Sequence, residues 1–214
     1  IDPNHNAILH YLNTELQSKP IHWESVTQLM LNMQNFSPSI PALVQTTASI
    51  FADRLDNPEK GFNTLTAILP ENITNIGFFQ QAIALAERAN KHSHLLSIID
   101  DAILLNGGNL QNRNDLLGKK FQIADLIGDD LIKLHTLREI LEKDPNDDFA
   151  LSQINSINPS QLKANARILL LQTQLSISND EQDRLRKQMQ IADLYVRASQ
   201  FNNAINLLDR KSVV

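Results

Sequence analysis

One stretch near the end of the chain decides the fold class: Ile191-Ala192-Asp193-Leu194-Tyr195-Val196-Arg197-Ala198-Ser199-Gln200-Phe201-Asn202-Asn203-Ala204-Ile205-Asn206-Leu207-Leu208. Apolar residues recur at steps of three and four on both sides of Ser199-Gln200, which is the pattern of two amphipathic helices joined by a tight turn. Ala192 and Ala204 lie on successive helices, where small side chains let two helix axes approach closely. Three larger side chains are predicted to fill the space around these alanines: Tyr195, Phe201 and Leu208.

The rest of the chain carries the same signals. Pro, Gly and Asn divide it into stretches that suit helices of ordinary length, and no stretch alternates with the period of two that is typical of strands. Helices are predicted to open after Asp2-Pro3, Pro20 and Asn57-Pro58, and the last of these is predicted to end at Pro70. About a dozen helices joined by short loops predict an all-α fold. The later helices are predicted at residues 72–90, 92–105, 112–127, 130–143, 146–156, 159–176, 180–198 and 201–210.

A repeat signal links the opening stretch to an earlier one. Ile123-Ala124-Asp125-Leu126 echoes Ile191-Ala192-Asp193-Leu194 at a distance of 68 residues, which is twice the 34-residue period of tetratricopeptide repeats. The tail resembles that family in its order of small, aromatic, aromatic, small and large apolar positions. The resemblance implies a right-handed superhelical array of antiparallel helix hairpins, a tetratricopeptide-like α-solenoid.

Elsewhere the resemblance is irregular. Gly61 takes the small-residue position of a second repeat, and Asp144-Pro145-Asn146 resembles a repeat exit. However, aligning the chain on Ala124 places that exit three residues early, and Asn158-Pro159 breaks the helix where an intermediate repeat is expected. Related α-solenoids with variable hairpin lengths stay open for residues 1–110. We interpret residues 1–214 as one helical-repeat domain from a larger protein, with a sub-boundary near 106–111.

Composition narrows the classes of partner. The formal charge is −5 and Lys and Arg are scattered, which argues against binding along a nucleic-acid backbone. There is no Cys, so disulfides and thiol chemistry are excluded and the compartment, bacterial periplasm or cytoplasm, stays undetermined. No apolar run approaches the roughly 18 residues that a membrane-spanning helix needs, so direct membrane insertion is not expected.

No catalytic or metal-binding pattern emerges from the sequence. His92 and His94 are two residues apart, which points them to different faces of a helix. The acidic pairs Asp129-Asp130 and Asp147-Asp148 stand where helices begin and are interpreted as helix caps. No glycine-rich phosphate loop or nucleophile motif occurs. We therefore expect no cofactor, no metal and no enzymatic activity.

The family resemblance implies a binding surface in the groove lined by the first helix of each repeat. Carried over to the tail, it assigns Met189, Asp193, Val196 and Arg197 to that groove, with Phe121 and Asp125 as the equivalent pair in the earlier repeat. An acid at 193 would repel a terminal carboxylate, so we expect an apolar and acidic groove that prefers an amphipathic or cationic segment. The alternative is that these Asp side chains only solvate their helices.

The sequence thus predicts a non-catalytic scaffold that binds a protein or peptide segment. A second hypothesis is the periplasmic repeat region of a bacterial polysaccharide export or envelope assembly protein, where the partner would be exopolysaccharide machinery. A third is the sensor arm of a regulator. Envelope association would depend on parts of the protein outside these residues.

Overall fold

The structure is a computed structural model that describes residues 22–36, 41–105 and 110–209, with side chains not described at 33–36, 110 and 111. The described part is all-helical and contains no strand, which confirms the predicted all-α class. The helix predicted to open after Asp2-Pro3 lies outside it. The helices are α1 Trp23–Phe36, α2 Pro41–Asp53, α3 Pro58–Thr66, α4 Leu69–Asn72, α5 Ile76–Ala89, α6 His92–Leu105, α7 Leu110–Leu126, α8 Asp130–Lys143, α9 Asp148–Ser156, α10 Ala164–Ile177, α11 Glu181–Arg197 and α12 Phe201–Asp209, with a 3₁₀ turn at Pro159–Gln161.

Polar side chains fix where several helices begin. The Asn57 side chain accepts a hydrogen bond from the Lys60 backbone N–H at 2.9 Å, with Pro58 in the first helical position. Asp129 caps α8 and Asp147 caps α9 in the same way, at 3.0 and 2.8 Å. Each cap satisfies a backbone N–H that has no partner inside its helix. The interpretation of Asp129 and Asp147 as helix caps is therefore confirmed.

Two prolines act differently from the prediction. Pro70 does not end a helix but lies in the first turn of α4, where a missing backbone N–H costs nothing. The single helix predicted over 159–176 is divided, because Pro159 opens a 3₁₀ turn and α10 begins only at Ala164. Proline is compatible with both the end and the first turn of a helix, so its position in the sequence does not separate the two.

The chain divides into two compact units, Ile1–Gly108 and Asn109–Val214. Of the sub-boundary predicted near 106–111, residues 106–109 lie outside the described residues. In the first unit, α3 packs on α2 and α5, and α5 packs on α6. Gly61 on α3 allows a close approach to α2, since a Cβ added there would lie 2.7 Å from the Ala48 carbonyl oxygen.

In the second unit, α8 packs on α7, α9 and α10, and α11 packs on α10 and α12. Ile168, Leu171 and Ile191 form a buried cluster between α10 and α11. Tyr195 packs against it, and its hydroxyl accepts a hydrogen bond from Gln172 Nε2 at 3.0 Å.

The hairpin predicted at the tail is present in this unit. The chain reverses after α11 through Ser199, whose φ of 58° is left-handed, and the Gln200 N–H donates to the Tyr195 carbonyl at 2.8 Å. Ala192 on α11 and Ala204 on α12 are both buried, and the two helices pack on each other. The packing predicted for Phe201 and Leu208 is wrong, because both side chains are exposed. On α12 it is Leu207 that packs inward, against the cluster of Ile168, Leu171 and Ile191.

Candidate functional site

Helix α11 carries four of the predicted site residues on one exposed face. Met189, Asp193, Val196 and Arg197 are separated by steps of four, three and one, so the helical period places them side by side. All four are exposed, whereas Ile191 and Ala192 of the same helix are buried. The face that points to solvent is therefore the one that the sequence assigned to partner binding.

The two charged members of this face bind each other. Arg197 Nη2 lies 2.8 Å from Asp193 Oδ2, one helical turn away. Both side chains are more than half exposed, and such a surface pair contributes little to stability. The pair does change the electrostatics of the face, because the Asp193 charge is balanced by a neighbour from the same helix.

A shallow pocket adjoins this ion pair. It has a volume of about 290 Å³ and lies between α10, α11 and the 3₁₀ turn. Asp193 and Arg197 line one side, and Leu171 and Arg167 line the other. Arg167 is held by the turn, since its Nε donates to the Pro159 carbonyl at 2.7 Å.

Phe121 and Asp125 lie one turn apart on α7. Phe121 is half-buried and meets Phe149 of α9 edge to face, with ring centroids 5.4 Å apart. Asp125 is exposed but paired, since Lys133 Nζ of α8 lies 3.0 Å from its Oδ1. Both side chains therefore join α7 to its neighbouring helices.

Lys133 is shared between two carboxylates. Its ammonium also lies 3.2 Å from Asp130, and its side chain is largely buried. Burial lowers the pKa of Lys133, but the hydrogen bonds and charges of Asp125 and Asp130 outweigh it and leave the pKa raised. Lys133 is therefore charged at neutral pH and balances the negative charge at the end of α7.

The two predicted sets occupy different helices. Helix α7 packs mainly on α8, and α11 packs on α10 and α12. Each set is internally close, as the sequence spacing implied. Packing among the described residues does not bring Phe121 and Asp125 together with Met189, Asp193, Val196 and Arg197.

The sequence reasoning missed most of an exposed apolar surface at the end of the second unit. We call it the apolar stripe and define it by six residues that are between 44% and 61% exposed: Leu185, Met189 and Val196 on α11, and Phe201, Ile205 and Leu208 on α12. The spacing of Phe201, Ile205 and Leu208 by four and three marked one helix face. The sequence predicts Phe201 and Leu208 to pack around the alanines, because a helix periodicity does not tell which apolar face is covered.

Within the described ranges, no group of three or more His, Asp or Glu side chains is arranged to hold a metal ion. No helix in the same ranges is both long and apolar enough to cross a bilayer. The α11 surface offers exposed apolar side chains beside the Asp193–Arg197 ion pair. No protein-family model matches the chain, and no curated protein matches it.

Proposed function

We propose that this chain is a non-catalytic scaffold of tetratricopeptide type, a right-handed superhelical array of antiparallel helix hairpins that binds a segment of a partner protein. The observation that carries the proposal is the apolar stripe on α11 and α12. The resemblance of residues 191–208 to the repeat family supports the architecture, and the stripe supports the binding role.

Six large apolar side chains lie exposed on two helices that pack on each other. Single exposed apolar residues are common, but contiguous patches mark sites of association. Met189 and Ile205 represent the two helices of the stripe, and each is more than half exposed. Covering such side chains contributes about 25 cal/mol for each Å² of apolar surface removed from water.

Charged side chains border the stripe on α11. Asp193 and Arg197 lie beside Met189 and Val196 on the same exposed face, and Arg186 adds a further positive charge one turn earlier. An apolar centre with a polar rim is the usual anatomy of a protein interface. The rim holds both signs of charge, so a partner helix with an apolar face and mixed charges at its edges fits it.

The double variant Met189→Gln with Ile205→Gln tests the proposal. Both side chains are exposed, so glutamine is accommodated without loss of buried packing, and helix propensity at these positions changes little. We expect affinity for a partner, purified after co-isolation with the wild-type chain, to fall about tenfold or more by calorimetry.

The matched control replaces two exposed polar residues on the same helices, Gln190→Ala with Asn206→Ala. It should leave the affinity unchanged. If the wild type and the glutamine variant bound the partner equally well, the apolar stripe would not be part of the interface. Sedimentation of the chain alone reports whether the stripe instead joins two copies.

A further inference from the structure

The sulfur chemistry of this chain rests on methionine. The sequence contains no Cys and three Met, which are Met30, Met33 and Met189. A thioether is oxidised without first losing a proton, so access of the oxidant decides which methionine reacts. Exposure therefore separates a methionine that an oxidant can reach from one that the fold protects.

Met30 and Met189 are opposite in exposure. Met30 of α1 is 1% exposed and belongs to a buried cluster with Leu43 and Ile50 of α2. Met189 of α11 is 61% exposed, which is the highest exposed fraction among the six residues of the apolar stripe. An oxidant dissolved in water therefore reaches the Met189 side chain, whereas the packing of α1 on α2 keeps it from Met30.

Met189 lies within the apolar stripe on α11. Leu185 precedes it by four residues and Val196 follows it by seven, and these steps place all three side chains on one face of the helix. The Met189 side chain is therefore flanked by stripe residues on both sides along α11. A chemical change at its sulfur acts on the surface to which we assign partner binding.

Oxidation changes the polarity of this side chain more than its size. A peroxide transfers one oxygen atom to the sulfur: the O–O bond breaks, the S=O bond forms, the sulfur loses two electrons and water or an alcohol leaves. The product, methionine sulfoxide, is polar where the thioether was apolar. The reverse reaction consumes two thiols, which become a disulfide while the sulfoxide oxygen leaves as water.

A sulfoxide in the apolar stripe opposes the burial of the stripe. An apolar partner face offers no N–H or O–H to the sulfoxide oxygen, and covering a polar atom without a hydrogen bond is unfavourable. If Arg186, one turn earlier on α11, donates to that oxygen, a charged group comes to lie against the stripe. In the free chain the exposed oxygen stays hydrated, so the packing of α11 on α10 is not disturbed.

We propose that Met189 is a site of reversible oxidation and that its sulfoxide releases the partner from the apolar stripe, a regulation that rests on the scaffold function proposed above. Peroxides are the class of oxidant, and a thiol-dependent methionine sulfoxide reductase is the class of enzyme that restores the thioether. Met30 stays reduced in the folded chain, so the cluster that it forms with Leu43 and Ile50 is not affected.

The first experiment measures where the folded chain is oxidised. Met33→Leu serves as the background, so that only Met30 and Met189 are compared. The chain is treated with dilute hydrogen peroxide, and mass spectrometry of its digest follows the sulfoxide at each methionine with time. We expect Met189 to be oxidised at least about tenfold faster than Met30 in buffer, and the two at similar rates in urea. Equal rates in buffer would overturn the assignment.

The second experiment measures the effect on binding. The chain is oxidised alone, freed of peroxide and titrated with the purified partner by calorimetry. We expect the oxidised chain to bind about tenfold more weakly, and the affinity to recover after treatment with methionine sulfoxide reductase and dithiothreitol. An affinity that oxidation leaves unchanged would overturn the proposed regulation.

Two leucine variants assign the effect to one sulfur atom. Met189→Leu keeps an apolar side chain that peroxide does not oxidise, and its own affinity should be the same before and after peroxide treatment. Met30→Leu retains Met189, and its affinity should fall on oxidation as that of the wild type does. A fall in the affinity of Met189→Leu on oxidation would assign the effect to another residue and contradict the proposal.

Ile205→Gln on α12 separates this regulation from the scaffold function. It places a polar side chain in the apolar stripe without changing a sulfur atom, and should weaken partner binding by the reduced chain. If Ile205→Gln weakens binding and oxidation does not, only the regulation by oxidation is overturned. If neither change weakens binding, the apolar stripe is not the interface and the scaffold function is overturned with it.

Discussion

Among the glycines of the described residues, Gly61 is the one at which an added side chain would meet the closest contact. Its missing side chain lets α3 lie against the backbone of α2, and a Cβ would approach the Ala48 carbonyl oxygen to 2.7 Å. A backbone atom cannot move aside as a flexible side chain does. We expect Gly61→Ala to lower the free energy of unfolding by about 1–3 kcal/mol, as overpacking does in tight cores.

Urea unfolding measures this loss, and Gly77→Ala is its control. Gly77 is also helical, but a Cβ there meets its nearest atom, Asn75 Oδ1, at 3.6 Å, which is an ordinary contact. The control variant should be as stable as the wild type or slightly more stable. If both alanine variants were equally stable, the helix contact at Gly61 would not be as close as described.

The sequence predicts a residue's role correctly where that role depends only on residues close to it in the chain. Asn57, Asp129 and Asp147 were identifiable as caps because an acceptor side chain acts within three residues of its own position. The exposure of Phe201 and Leu208 was not identifiable. Their side chains follow the helix period that a core residue follows, and only the position of neighbouring helices decides whether they are covered.

At the scale of elements, α8 is the central helix of its unit, since it packs on α7, α9 and α10. Its N-terminus depends on Asp129, whose side chain accepts the Ile132 N–H at 3.0 Å. Replacement of Asp129 by Ala removes this cap and should cost about 1 kcal/mol of stability. Asp129→Asn retains the acceptor oxygen and should lower the free energy of unfolding by only a few tenths of a kcal/mol. Comparison of the two variants therefore separates the effect of the capping hydrogen bond from the effect of side-chain size.

Denaturant unfolding of both variants measures the difference. Equal stability of the Ala and Asn variants would mean that the cap does not stabilise α8.

The sequence predicts that a helix is present and where it begins, because both depend on residues close together in the chain. It does not fix which helices pack together: α8 packs extensively on α10, while α9, which lies between them in the sequence, packs on α8.

At the scale of the whole molecule, each unit has a carboxylate that is more acidic than usual. The hydrogen bond and the charge of Lys91 hold the pKa of Glu59 below its ordinary value of 4.5. Lys187 and then Ser178 hold the pKa of Asp183 below 3.8. A lowered pKa in the folded state means that the unfolded chain binds more protons as the pH falls, so stability decreases with acidification.

We therefore expect the urea midpoint to fall as the pH drops from about 6 to about 3. The decrease should be small while the pH is above the ordinary pKa values of Glu59 and Asp183, and larger below them. Lys91→Gln with Lys187→Gln removes both partners and should flatten that dependence. If the urea midpoint of the double variant depended on pH as it does in the wild type, the acid sensitivity would come from other carboxylates.

Two other functions of the whole protein stay predictions: a part of a polysaccharide export or envelope assembly protein, and the sensor arm of a regulator.

The ion pair between Asp193 and Arg197 has a consequence for how a partner would be held at α11. A cationic segment that binds Asp193 takes the place of Arg197, so one pair of opposite charges is exchanged for another. Few counterions are gained or released in such an exchange, and screening acts on both sides of the equilibrium. Association at α11 should therefore change little between dilute buffer and physiological ionic strength.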